Sequence, residues 1–120
     1  MANQIINKIG TSVIHVDSTD GEITLAELKN ANEATVVNAD IIEIFYNLKA
    51  GASIAIDRGG TDVYKIIAGA PASGTGSNLI GHVNYRPSGL VLRGTSTADI
   101  GVTVASFTDS LVTLIVKKSY

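Results

Sequence analysis

Residues 54–67 read IAIDRGGTDVYKII, with two acids, an arginine and a Gly-Gly pair between apolar flanks. Two folds compete for this stretch. As a phosphate cradle, Asp57-Arg58-Gly59-Gly60 would have to open a helix. A P-loop needs G-x-x-x-x-G-K-[ST], and a dinucleotide fold needs G-x-G-x-x-G between a strand and a helix. Neither spacing is present, and the residues after Gly60, TDVYKII, are β-prone. As a hairpin the stretch makes sense residue by residue. Ile54 and Ile56 share one face of an incoming strand, with Ser53, Ala55 and Asp57 on the other. Val63, Tyr64, Ile66 and Ile67 supply the outgoing strand. Gly59 and Gly60 take the positive φ that a tight reversal requires. Asp57 and Asp62 suit the edges of the turn, where a carboxylate bonds nearby backbone N–H groups. Arg58 stays open at this point: solvated, paired with one of those acids, or reaching a partner.

Outward from the hairpin the same pattern repeats. Turn signals recur at STDG (18–21), KAGA (49–52), GAPASGTGS (69–77), RPSG (86–89) and TADIG (97–101), with short Ile/Val/Leu/Thr/Tyr-rich segments between them. The spacing predicts strands over 12–16, 35–37, 41–48, 53–57, 63–68, 79–85, 89–94, 101–107 and 111–118. The last, LVTLIVKK, is nearly continuous in apolar residues, which suits a strand covered on both faces. One segment reads as helix. In ITLAELKNAN (23–32), Thr24 and Glu27 fit a capping box, and Ile23 with Leu28 fits a hydrophobic staple. A short helix near residues 25–31 is expected, ending at Asn32. The start, MANQIINKIG, reads as an extended N-terminal arm over 1–10, of the kind that adds a strand to a neighbour's sheet edge. Residues 11–120 then form one all-β domain, an antiparallel β-sandwich or barrel. Lys117-Lys118 near the end fits a strand edge that discourages pairing, or a contact with an acidic partner.

Composition narrows the function. The 120 residues are 45% hydrophobic and only 17% charged, with a net charge of −2. So little charge on a small domain implies that part of its Ser/Thr/Ala surface is covered by a partner. No basic run supplies the footprint of a nucleic-acid binder. No apolar stretch reaches the roughly 18 residues of a membrane helix, and the start lacks the apolar core of a signal peptide. With no cysteine there is no disulfide or thiolate site. DSTDGE (17–22) resembles a calcium loop, but counting from Asp17 places Thr19, Gly21 and Glu22 at positions 3, 5 and 6, and the ligand pattern fails. His15 and His82 are isolated on predicted strands. No G-x-S-x-G elbow exists, and an Asp57/Asp62 pair lacks the Trp platforms usual beside sugar-cleaving carboxylates. No catalytic residue, cofactor or metal is expected.

ADIIEIFYNLKAGASIAIDRGGTDVYKIIA (39–68) is similar to a stretch of small virion proteins of tailed bacteriophages, in which a strand, an I-x-R-G turn and a V-Y/V-x-L/I strand follow one another. ADIGVTVASFTDSLVTLIVKK (98–118) resembles their C-terminal hairpin, two strands closing on a lysine. The resemblance spans residues 35–118. It implies a capsid decoration (cement) protein: a non-enzymatic β-rich module on the outside of the phage head, made in the host cytoplasm. Its partner would be the major capsid protein, and it would be a homo-oligomer, dimer or trimer. Asn3, Ile5 and Ile6 of the arm, with Arg58 and Tyr120, are the candidate interface residues. Phe45, Tyr46, Tyr64 and Tyr85 are further candidate anchors, unless they belong to the core. Two rivals stand beside this reading. One is a different virion part (head fibre base, tail tube or connector), and the other a β-sandwich that binds a small ligand or glycan.

Overall fold

The alternation seen in the sequence folds into two antiparallel sheets packed face to face. The computed structural model describes residues 4–16, 21–68, 79–84, 97–107 and 110–120. Nine strands are described: β1 (Gln4–Asn7), β2 (Thr11–Val16), β3 (Gly21–Ile23), β4 (Asn38–Leu48), β5 (Ser53–Arg58), β6 (Thr61–Ile67), β7 (Leu79–Asn84), β8 (Ile100–Ala105) and β9 (Leu111–Ser119). One sheet runs β1-β2-β9-β4-β7 and the other β3-β8-β5-β6. The strand predicted over 89–94, the turn signal over 69–77, Asp17, Asp20 and Tyr85 lie outside the described residues.

The opening hairpin is present. β5 and β6 pair with Arg58 opposite Thr61, leaving Gly59-Gly60 as a two-residue loop. Both glycines have positive φ, +61° and +93°, the pattern of a type I′ turn, whose twist matches that of the strands. Asp57 trims the edge as its residue type implies, accepting the Gly60 N–H at 2.9 Å. The same carboxylate fills the space over Gly101 on the neighbouring strand, where any Cβ would collide with it. Asp62 instead forms an exposed pair with Lys65, 3.3 Å away. Because an L-residue at a left-handed φ costs about 1–2 kcal/mol, Gly60→Ala is expected to lower the urea midpoint by that equivalent. Gly60→Asn should lower it less, since Asn tolerates this region. An unchanged midpoint for both would remove the turn from the stability argument.

Strand β4 solves a phase problem visible in its sequence. Ala39 and Ile41 point inward on odd positions, whereas Ile44 and Leu48 point inward on even ones. The register against β9 slips between Ile41 and Glu43, so Ile42 is the extra residue of a bulge that resets the alternation. With β9 contributing Val112, Leu114 and Val116 and β2 contributing Ile14 and Val16, one inner face is complete. Ile54, Ile56, Ile66, Ile100 and Val102 form the opposing inner face. Each such side chain stabilises by about 1.5–3 kcal/mol when fully buried.

Four expectations change. Residues 35–37 are not strand, and β4 begins at Asn38. The helix near 25–31 contracts to a single 3₁₀ turn, Ala26–Leu28. Its capping box forms, with Glu27 N donating to Thr24 Oγ1 at 3.3 Å. The chain then turns extended at Lys29, because Asn30 and Glu33 bond to backbone and pull it out of helical register. Residues 4–7 of the expected arm do not stand away: they form β1, which pairs with β2 in the same chain. The proposed C-terminal hairpin is not one either, since β8 and β9 lie in different sheets.

Candidate functional site

Strand β9 sits between β2 and β4, so its last residues are not a free edge. Its alternation (Val112, Leu114, Val116) carries Lys118 onto the core face. The side chains of Lys118 and its partner Glu33 are both fully buried. An ammonium has three N–H donors, and here all are used: on the carbonyls of Lys8 and Leu28, each at 2.7 Å, and on Glu33 Oε1. Glu33 is equally saturated. It accepts from Asn30 N and Gly10 N, each at 2.7 Å, and from the Tyr120 hydroxyl. Burial by itself would raise the Glu33 pKa. The Lys118 ammonium, the Tyr120 hydroxyl and the two backbone N–H groups outweigh it and hold the pKa at about 2. The Tyr120 hydroxyl moves the other way: its bond to the Glu33 carboxylate and its burial both raise its pKa.

This network joins the β1–β2 turn, the segment before β4 and the end of β9 at one end of the sandwich. On its outside are apolar side chains. Ile9, 69% exposed, lies in the β1–β2 turn beside Gly10, and Tyr120 is 53% exposed although its hydroxyl is tied inward. Val37, also exposed, is held there by its N–H bond to the Ser119 carbonyl. Ile6 is exposed on the nearby outer face of β1, whereas Ile5 is partly buried against the core. Asn3 lies outside the described residues.

Arg58 leaves the surface altogether at 2% exposure. Its Nη1–H donates to the Ala39 carbonyl at 2.7 Å, and Nη2 and Nε both donate to the Ala98 carbonyl, at 2.8 and 3.3 Å. Ala39 belongs to the five-stranded sheet, and Ala98 precedes β8 of the other. The guanidinium therefore clasps one sheet to the other. Burial lowers its pKa, and the nearby carboxylates of Asp40 and Asp99 partly offset that. Neither a solvated turn residue nor a side chain reaching across an interface describes Arg58.

The outer face of the five-stranded sheet is the other exposed region. One cross-strand row runs Gln4, His15, Thr113, Phe45, His82. His15 Nδ1 lies 3.0 Å from Thr113 Oγ1. His82 stacks flat on Phe45, with ring centroids 4.2 Å apart, and its Nε2 is 3.0 Å from Glu43 Oε1. The histidines share a face but have two strands, β9 and β4, between them. Below this row Phe45, Ile80 and Leu111 are exposed around a shallow dent of about 180 Å³. Tyr46 and Tyr64 pack partly against the core instead. Among the described residues no group of three or more His, Cys, Asp or Glu side chains is placed to hold a metal ion. No described helix is long and apolar enough to cross a membrane.

Lys118, Glu33 and Arg58 are the residues that the sequence reading placed poorly. A signal existed for two of them. Extending Ile54–Ile56 by two residues puts Arg58 on the core face, and extending Val112–Leu114–Val116 by two does the same for Lys118. Only the partners, Ala39, Ala98 and Glu33, had no local mark.

Comparison of the chain with family models, with curated proteins and with solved structures gives no match. Fold and surface define the class by themselves: an antiparallel β-sandwich with exposed apolar side chains among its described residues.

Proposed function

We propose that the protein is a capsid decoration protein of a tailed bacteriophage, binding the outer surface of the head and stabilising contacts between major capsid protein subunits. The observation that carries this reading is the end of the sandwich where Ile9, Val37 and Tyr120 are exposed over the saturated Glu33–Lys118 network. A docking surface gains most from apolar and aromatic anchors that lose little freedom on binding. Here the backing is already ordered, so little ordering remains to oppose association. Repetition over a symmetric shell then turns modest single contacts into tight occupancy. Of the candidate interface residues, Tyr120 and Ile6 remain, Ile9 and Val37 join them, and Arg58 leaves.

The test mixes purified protein with expanded, undecorated heads and with unexpanded ones. Saturable binding to expanded heads is expected, and Ile9→Asp should weaken it by about tenfold or more, the loss of one central anchor. The thermal midpoint of that variant should not change. Absence of saturable binding to either kind of head overturns the proposal. Rings or fibres formed by the isolated protein would favour a tail or connector component.

A further inference from the structure

We infer that the partner surface received by the Ile9–Val37–Tyr120 end is acidic: a segment of the partner protein in which carboxylate side chains alternate with apolar ones, held by Lys8, Lys29 and Lys117. The inference deepens the shell-docking reading and rests on it for the place of the site. What it adds is the chemistry of the occupant.

Backbone geometry brings the three lysines together. The Lys118 ammonium donates to the Lys8 and Leu28 carbonyls at 2.7 Å each. Those carbonyls therefore lie within two hydrogen-bond lengths of one another, and Lys29 follows Leu28. Lys8 N donates to the Thr11 carbonyl at 2.9 Å, and Lys117 stands directly across from Thr11 on β9. Lys8, Lys29 and Lys117 are all exposed, whereas the Lys118 side chain points inward. Ile9 sits beside Lys8 in the same turn, and the Tyr120 hydroxyl accepts the Gly10 N–H at 3.1 Å. Cations therefore border the apolar anchors.

These charges are left for a partner. Lys8, Lys29 and Lys117 make no ion pair among the described residues, and Lys29 Nζ donates to the Asn30 carbonyl at 3.3 Å. The acids of this end are engaged. Glu33 is held by Lys118 and Tyr120, Glu27 accepts from the Thr24 hydroxyl at 3.2 Å, and Asp40, across from Lys117, lies near the buried Arg58 charge. Glu22, Asp57, Asp62 and Asp99 belong to the four-stranded sheet or the turns beside it. The chain as a whole is at −2, so an anionic partner is drawn to this end and not to the molecule at large. Such complementarity steers encounter and selects partners more than it adds raw affinity. Carboxylates on a protein fit better than a phosphate backbone. The lysines stand among Ile9, Val37 and Tyr120, which a nucleic acid would leave without apolar contact, and three lysines fall short of the basic footprint that backbone binding needs.

Fluorescence anisotropy on the full chain tests this, with a short fluorescein-labelled peptide in which Asp alternates with Leu and a counterpart carrying Asn for each Asp. The Asp peptide is expected to bind at least about tenfold more tightly than the Asn peptide, the sum of a few exposed ion pairs. Raising salt from about 0.1 to about 1 M, where the screening length falls from about 10 to about 3 Å, should remove most of that advantage. Lys8→Ala and Lys117→Ala should each weaken Asp-peptide binding by about threefold with the circular dichroism spectrum unchanged, and Lys65→Ala, on the other sheet, should not. Equal affinity for the two peptides overturns the inference, as does Asp-peptide binding that ignores salt or survives undiminished in a folded Lys8 or Lys117 variant; should one variant misfold, the other decides. A single-stranded oligonucleotide that binds more tightly than the Asp peptide also overturns it. The outcome is separable from the shell-binding proposal: selective peptide binding by a protein that ignores heads sinks only that proposal, and saturable head binding without preference for the Asp peptide sinks only this one.

Discussion

Arg58→Met is expected to destabilise the protein by about 3 kcal/mol, with a fall in thermal midpoint of about 12 °C for a domain of this size. Methionine keeps most of the volume, so the loss is polar rather than a cavity. The Ala39 and Ala98 carbonyls would lose the guanidinium donors that hold them across the two sheets, and an orphaned buried acceptor costs about 1–3 kcal/mol. The Asp40 and Asp99 carboxylates would also lose the positive charge between them. Arg58→Lys should recover only part of the loss, because an ammonium cannot span both carbonyls as the planar fork does. Urea and thermal unfolding measure both variants. A change under about 1 kcal/mol for Arg58→Met would show that the clasp contributes little.

The second large effect belongs to the Glu33–Lys118 pair. Lys118→Met leaves a buried carboxylate without its strongest partner and frees the Lys8 and Leu28 carbonyls. Breaking a buried pair from one side is among the most damaging single changes. The loss at pH 7 is expected to match or exceed that of Arg58→Met. Acid supplies the diagnostic. Glu33 has its pKa lowered from 4.5 to about 2 on folding, so between these values the unfolded chain binds the extra proton. The stabilisation is fully present above the unfolded value and is lost as pH falls from about 4.5 toward about 2. In Lys118→Met the Glu33 pKa rises, so protonation relieves the buried charge and the gap to wild type narrows as pH drops. Urea midpoints at pH 7 and pH 3 read this directly. A gap that stays constant would mean that the pair is not the origin. Glu33→Gln should flatten the wild-type acid dependence over the same window, and the double variant Glu33→Gln/Lys118→Met should cost less than the two single changes added together.

Most of the framework was legible locally. The β5–β6 hairpin followed from Ile54 and Ile56 alternating into Asp57 and then Gly59-Gly60, because alternation and positive φ are properties of a few adjacent residues. The strands at 12–16, 53–57 and 111–118 followed in the same way. The 3₁₀ turn was over-read as a longer helix. Thr24 and Glu27 do cap it, but Asn30 and Glu33 spend their hydrogen-bonding groups on β1 and the β1–β2 turn, a competition that no window of ten residues displays.

The proposed docking surface was legible only in fragments. Ile6 and Tyr120 stood among the candidate interface residues beside the partly buried Ile5, whereas their company with Ile9 and Val37 depends on β9 lying between β2 and β4. The same arrangement turned Lys118 from an edge-guarding or partner-facing lysine into a buried one, and the facing of the two sheets turned Arg58 from a turn residue into a clasp. Strand identity, turn type and face are set by neighbours in the chain, so sequence alone carries them. Sheet order and the partner of each inward charge are set by which strands meet in space. Those pairings join residues 19 to 110 positions apart, and only the folded chain decides them.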